Sequence, residues 1–217
     1  MKRRAVLAAL AAGLTAGCSR IGESDWFGGV VKKAADLHRD AHRLLPRPQM
    51  APEFTLADLS PTFRGNGSID VDKPEYRAAQ AAGFATWTLA VGGLVQRPLS
   101  LTMDQIRALP QRTQITRHDC VEGWSAIGQW TGPQLSAILD LAGVKDGAAY
   151  VVFRCADRLN GADYYESVDM DDALHAQTIV AHMLNGEPLP VKNGAPLRVR
   201  IERQLGYKSA KYLTGVD

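Results

Sequence analysis

At 217 residues with 46% apolar content, the chain is long enough to bury a core of its own, and its length favours one domain or at most two small ones. The formal charge of +2 comes from the first seventeen residues, where Lys2, Arg3 and Arg4 stand without an acid. The remainder carries 22 basic against 23 acidic side chains and no basic run, which removes the electrostatic reason to expect nucleic acid. Three cysteines, 102 and 35 residues apart, are too few for a disulfide scaffold and form no CxxC pair suited to zinc.

Met1 to Gly17 has a short basic start, an apolar run from Ala5 to Leu14 and then small residues. This is the anatomy of an export signal, too short to span a bilayer comfortably. Leu14-Thr15-Ala16-Gly17-Cys18 resembles a bacterial lipobox, in which Cys18 would be lipidated and become the new N-terminus, with plain cleavage as the alternative. Arg3-Arg4-Ala5-Val6-Leu7 also looks like a twin-arginine signal, the route that exports folded proteins. Residues 18–61 read as a tether and arm: charges are mixed, prolines stand at 46, 48 and 52, and only Val30 to Leu44 is amphipathic. His38 and His42 have metal-ligand spacing on a helix but no third ligand near, so a solvated helix face is the reading.

Residues 62–217 read as one domain. Phe63-Arg64-Gly65-Asn66-Gly67 is a turn-rich loop, either a plain surface turn or a place where backbone can approach a ligand closely. Phe84 to Val95 alternates Trp87, Leu89 and Val91 against Thr86, Thr88 and Ala90, the period of a half-buried strand. Thr102 and Gln105 form a capping box for a short helix carrying Ile106 and Leu109 and ended by Pro110. Thr113 to Thr116 predicts a strand that delivers Cys120 at its end. Thr131, with Pro133 in the first turn, predicts a helix with Leu135, Ile138, Leu139 and Ala142 on one face and Gly143 as terminator. Ala149 to Phe153 is a continuous apolar run of strand character leading to Cys155. Asp169 caps a short helix, and Thr178 to Leu184 predicts a strand closed by the Asn185-Gly186 turn. Leu197, Val199 and Ile201 alternate with Arg198, Arg200 and Glu202 in a last strand. Strands outnumber helices and short helices are scattered among them, so the class is α+β.

The stretch His118-Asp119-Cys120-Val121-Glu122-Gly123-Trp124-Ser125, with Trp130 following, concentrates chemistry. A cysteine behind two ionisable residues and ahead of two tryptophans suggests a built pocket, and both catalysis and metal ligation use the thiolate. Two further blocks, Asn193-Gly194-Ala195-Pro196-Leu197-Arg198 and Gly206-Tyr207-Lys208-Ser209-Ala210-Lys211, combine Gly- and Asn-rich loops with Arg and Lys. Such loops suit an anionic ligand such as a phosphate, although an exposed basic edge has the same composition.

These three blocks, in this order, resemble the oxidoreductase molybdopterin-binding domain of the sulfite oxidase superfamily, and most closely its bacterial branch containing the periplasmic methionine-sulfoxide reductase catalytic subunit. The resemblance runs from about Phe63 to Lys211. It implies a mixed-sheet sulfite-oxidase-type fold and a Mo-molybdopterin cofactor with Cys120 as the protein's ligand to molybdenum. It further implies that Asn193 and Arg198 hold the pterin and its phosphate, that Ser209, Ala210 and Lys211 cradle the same cofactor, and that Asn66 belongs to an N-terminal cofactor loop. Cys155 falls where the reductase has a Thr near the metal and is expected as a pocket-lining residue.

True sulfite oxidases follow the ligand cysteine with Ala-Gly-Asn-Arg-Arg, whereas Val121-Glu122-Gly123-Trp124-Ser125 stands here. An acid and a tryptophan disfavour a small dianion, so a sulfoxide or N-oxide is expected rather than sulfite. With no haem-attachment CxxCH and no GxGxxG, electrons are expected to pass through a separate protein, by family analogy a membrane haem subunit. The chain stops six residues after Lys211, where many relatives add a strand and tail, which raises the expectation of a fragment or minimal domain. Two other readings compete: a cysteine hydrolase with Cys120 as nucleophile and His118, His175 or His182 as base, and a non-catalytic exported lipoprotein. In an oxidising compartment a Cys120–Cys155 disulfide is a further alternative, and it would require an empty metal site.

Overall fold

The computed structural model describes residues 24–44 and 50–217. The export signal, the lipobox with Cys18 and the side chain of His42 lie outside the described residues. Residues up to Gln49 and residues from Met50 onward form two separate units. In the first, helix α1 spans Asp25–Leu44, begun by Ser24, whose hydroxyl accepts the Phe27 N–H. It is longer than the amphipathic segment expected from Val30. Trp26, Val30 and Leu37 recur at helical spacing and are exposed, as is His38.

The second unit takes in residues 50–61 as well as the expected domain. Phe54 N–H donates to the Ile115 carbonyl and Ser60 N–H to that of Ile127, so this stretch is laid along the two strands that carry the cysteine motif. Helix α2 (Pro74–Ala81) has proline at its first position. Strand β1 is only Thr88–Val91; Phe84, expected in that strand, sits in the left-handed region at φ 58°, where extended pairing is lost. β2 (Leu99–Thr102) runs into α3 (Met103–Ala108) through the expected capping box. Gln105 N–H donates to the Thr102 hydroxyl at 3.2 Å, and the Gln105 side chain accepts the Thr102 N–H at 2.9 Å.

β3 (Gln111–Cys120) and β4 (Trp124–Pro133) form a hairpin in unbroken register from Gln111↔Pro133 to Cys120↔Trp124. The hairpin corrects the expected start of the next helix. Thr131 and Pro133 are paired with β3, so α4 (Leu135–Ala142) begins after Gln134, and Gly143 ends it at φ 70° as expected. β5 (Tyr150–Leu159) and β6 (Ala162–Asp169) form a second long hairpin, followed by α5 (Met170–Ala173) with Asp169 accepting the Asp172 N–H. The segment expected as one strand from Thr178 is two, β7 (Ile179–Ala181) and β8 (Met183–Leu184). Asn185-Gly186 then turns into β9 (Glu187–Pro188). β10 (Arg198–Arg200) pairs with β7, and β11 (Leu213–Val216) closes the fold.

The main sheet has order β2-β1-β11-β5-β6, with β1 and β11 parallel and the other pairs antiparallel; β3-β4-β8-β9 form a second sheet. This is an α+β architecture with a mixed sheet, as expected. The largest core packs Ile106 of α3 and Leu135, Ile138 and Leu139 of α4 against Leu89, Phe153, Leu197 and Leu213. Each such aliphatic side chain, fully buried, contributes about 1.5–3 kcal/mol. A second cluster sets Phe63, Trp130, Ile179 and Leu184 beneath the β3–β4 hairpin, and a third stacks Tyr76 edge-on to Trp87 and Tyr212.

Candidate cofactor site

Four chain segments converge on one cavity of about 180 Å³: the loop 66–68, the tip of the β3–β4 hairpin, the end of β5 and the loop leading to β11. Cys120 lies at the last paired position of β3, where the chain turns back with Gly123 at φ 84°. Its free thiol therefore stands at the rim of that turn. Asn66, Ser209, Ala210 and Lys211 line the same cavity. Five of the eight residues singled out from the sequence are thus brought together from positions up to 145 residues apart.

Glu122 ties the hairpin tip to the 66–68 loop. Its Oε1 accepts the Gly67 N–H at 3.0 Å and its Oε2 accepts the Trp124 indole N–H at 2.9 Å, and these donors hold its carboxyl below the usual carboxylate range. The acid set aside above as a feature that disfavours sulfite is therefore also a structural tie. Lys211 is mostly buried and gives its ammonium protons to the carbonyls of Asn66 at 2.6 Å, of Ser68, and of Lys192 at 3.5 Å. Burial, with Arg198 adding like charge, pushes its pKa down to about 8.

Asn193 and Arg198 do not line the cavity but stand directly behind it. Arg198 is fully buried and donates to the Asn66 side-chain oxygen and the Asn193 carbonyl, both at 3.2 Å, while the Asn193 amide donates to the Arg64 carbonyl at 3.1 Å. Burial and the neighbouring Arg200 push Arg198 down to about 9, which leaves it charged at neutral pH. Its Nε has no partner among the described residues. A buried guanidinium N–H left unused is costly.

Cys155 is placed elsewhere. It is buried in the main core and lines a second cavity, of about 400 Å³, with Tyr76 and Trp87; burial raises its thiol well above the ordinary range. Both Cys120 and Cys155 are free, so the disulfide alternative is not realised. His118, His175 and His182 do not line the Cys120 cavity. His118 is buried and pushed down to about 2 by burial and by Arg200. Sequence reasoning missed Ser68 and Asp157, which line the same cavity as Cys120, and it noted Arg200 only as one of the polar alternates of the last strand. Arg200 is in fact buried over the Trp130 ring at 4.4 Å and paired to the buried Glu202 at 2.7 Å.

The family profile described as oxidoreductase molybdopterin binding domain matches residues 76–217. A protein of Azospira oryzae that carries the name protein-methionine-sulfoxide reductase subunit YedZ1 is 42% identical over 165 residues, covering 76% of this chain and 59% of that protein. The protein-methionine-sulfoxide reductase catalytic subunit MsrP of Xanthomonas axonopodis pv. citri is 35% identical over 178 residues, covering 76% of this chain and 55% of its own. The chain thus spans somewhat over half the length of the curated relatives it matches. Among solved structures, the sulfane dehydrogenase SoxCD from Paracoccus pantotrophus aligns with TM-score 0.56 at 22% identity, over 61% of this chain and 38% of that one, a likeness of fold. With the profile covering the sheet, both hairpins and the loop before β11, the chain belongs to the oxidoreductase molybdopterin-binding domain family of the sulfite oxidase superfamily.

Proposed function

We propose that this chain is an exported Mo-molybdopterin oxidoreductase that transfers an oxygen atom to or from a small substrate, a sulfoxide or N-oxide rather than sulfite. The observation that carries the reading is the convergence of the Cys120 thiol, Asn66, Ser209, Ala210 and Lys211 on one cavity. The residues fit the group. Cys120 offers a soft sulfur ligand, the Lys211 ammonium and the buried Arg198 guanidinium supply positive charge for an anionic pterin phosphate, and Arg198 Nε stands unpartnered. Cys120 would ligate molybdenum, while Asn66, Asn193, Arg198, Ser209, Ala210 and Lys211 would hold the pterin. When bound, the cofactor supplies two-electron oxygen-atom transfer. The chain's own residues orient it: Glu122 fastens the Cys120 turn to the 66–68 loop, and Lys211 fastens that loop to the loop before β11.

The names of the relatives support a sulfoxide as substrate. Glu122 and Trp124, standing where sulfite oxidases place residues of their Ala-Gly-Asn-Arg-Arg run, point the same way. Electrons would come from a separate redox protein, by family analogy a membrane haem subunit. The leader supports a periplasmic location, with membrane contact through a lipid on Cys18. The test is elemental analysis for molybdenum, with pterin released and quantified, on protein expressed with its leader in a cofactor-making bacterium, beside a Cys120→Ala variant. Near-stoichiometric metal in the native protein, with metal-centre absorbance lost or altered in the variant, is expected. Well-folded protein holding neither metal nor pterin sinks the reading.

A further inference from the structure

We propose that Asp157 is the acid that delivers a proton to the oxygen leaving the substrate in the Cys120 cavity. The inference rests on the oxygen-atom-transfer reading above and adds a residue to it. Asp157 lies near the end of β5, where the register against β6 shifts between Arg154 and Arg158. Alternation fails there: Cys155, Ala156 and Asp157 are three consecutive buried residues. A bulge re-aims side chains, and here it sends Asp157 into the cavity that holds Cys120 while Cys155 lines the other one.

Asp157 is 7% exposed. Its Oδ2 accepts from the Ser68 hydroxyl, and its Oδ1 is fully buried without a partner among the described residues. No Lys or Arg forms an ion pair with it among those residues. A half-paired carboxylate in such a place is costly, whereas a protonated carboxyl can turn its O–H toward a ligand oxygen. Burial raises its pKa, opposed by the Ser68 hydroxyl, by Lys211, by its own backbone N–H and by Lys73. Tyr76, Tyr164, Tyr212 and Cys155 are each driven by burial to hold the proton more tightly, and Cys120, Glu122, Arg158 and Tyr207 line the same cavity as Asp157. Lys211 has committed its three N–H donors to backbone carbonyls, and Lys73 is paired with Asp163 at 2.8 Å. Asp157 is therefore a carboxyl in the cavity wall with one oxygen that no group among the described residues engages.

The chemistry needs such a group. Reducing a sulfoxide breaks the sulfur–oxygen bond and forms two O–H bonds, consuming two electrons from a one-electron donor protein or dye and two protons, and releasing sulfide and water. Asp157 supplies one proton and is reprotonated from solvent, which also supplies the other.

The experiment uses the full chain loaded with cofactor, with Asp157→Asn and Asp157→Glu beside the native protein, dimethyl sulfoxide as substrate and reduced methyl viologen as donor. The Asn variant should keep its molybdenum, pterin and KM while kcat falls roughly 10²–10⁴-fold, and the Glu variant should recover part of the loss. Infrared titration of the same proteins should show a protonated-carboxyl band that persists above the pH range of ordinary carboxylates and is absent from the Asn variant. A cofactor-loaded Asn variant with native kcat and pH profile overturns the proposal. So does loss of cofactor from it, which would make Asp157 a positioning residue. A native protein without molybdenum or without sulfoxide reduction sinks the oxygen-transfer reading instead, and the catalytic role of Asp157 with it, whatever the infrared band shows.

Discussion

Arg200 donates from Nη1 to Nδ1 of His118 across 2.7 Å, two residues ahead of Cys120 on the same strand. A guanidinium has donors only, so Nδ1 is the acceptor and the neutral imidazole carries its proton on Nε2. This disposes of His118 as a general base for a cysteine hydrolase, since the nitrogen able to take a proton is already occupied. Arg200 is itself held through Nε at 3.1 Å and Nη2 at 2.7 Å by the two oxygens of Glu202, which also accepts from the Gln114 amide at 2.8 Å. His118, Arg200 and Glu202 form one buried chain behind the cysteine.

Breaking that chain at its acid leaves an uncompensated guanidinium under the hairpin. Glu202→Gln should lower unfolding stability by about 3–5 kcal/mol, the usual cost of removing one member of a buried ion pair. Urea unfolding of the cofactor-free protein measures it, and a loss under about 1 kcal/mol would mean that water reaches Arg200.

Gly206 packs against the His118 imidazole so closely that a Cβ on it would lie 2.3 Å from both Cε1 and Nε2 of the ring. Gly206→Ala should therefore cost about 1–3 kcal/mol and displace the loop before β11. Adding His118→Ala should restore part of that stability, because the clash is with the ring alone. A double-mutant cycle reads the coupling, and strict additivity of the two losses would contradict this contact.

Gly132 is where β4 crosses β7, and a Cβ there would sit 2.1 Å from the Val180 carbonyl oxygen and 2.6 Å from its carbon. Neither backbone can yield without breaking the pairing of β7 with β10. Gly132→Ala should thus be among the most disruptive single substitutions, at roughly 3 kcal/mol or more, and thermal unfolding should show it even though no polar contact is removed.

Lys211 gives a pH dependence of definite sign. Its pKa in the fold is about 8 against an ordinary 10.5, so between those values the unfolded chain binds more protons than the folded one. Stability of the cofactor-free protein should therefore rise with pH across that window relative to Lys211→Met, in which the effect is gone. The same loss of charge should weaken retention of an anionic pterin as pH passes about 8. Urea midpoints of both proteins near pH 7 and about pH 10 provide the check, and parallel pH profiles would refute it.

Much of the frame was decided locally and could be read from the sequence. The Thr102–Gln105 box, the Asp169 cap, the Gly143 stop and the apolar run of β5 each depend on residues within a turn of one another. The cysteine motif and the Asn193–Arg198 and Gly206–Lys211 loops were likewise legible, because they concentrate rare residue types at close range. Tertiary structure alone decided the rest. Arg198 and Arg200 alternate with Val199 as though one face met water, yet both faces of β10 are covered, and Trp130 packs under the two guanidiniums at 5.4 and 4.4 Å. Thr131 looked like a helix cap until ten consecutive pairs with β3 claimed it for a strand. Cys155 and Asp157 stand two apart and should share a strand face, but a register shift sends them to different cavities. Sequence periodicity records how a segment would meet one partner and solvent. It carries no trace of a second element arriving from more than a hundred residues away, and that arrival turned a basic edge into a buried site.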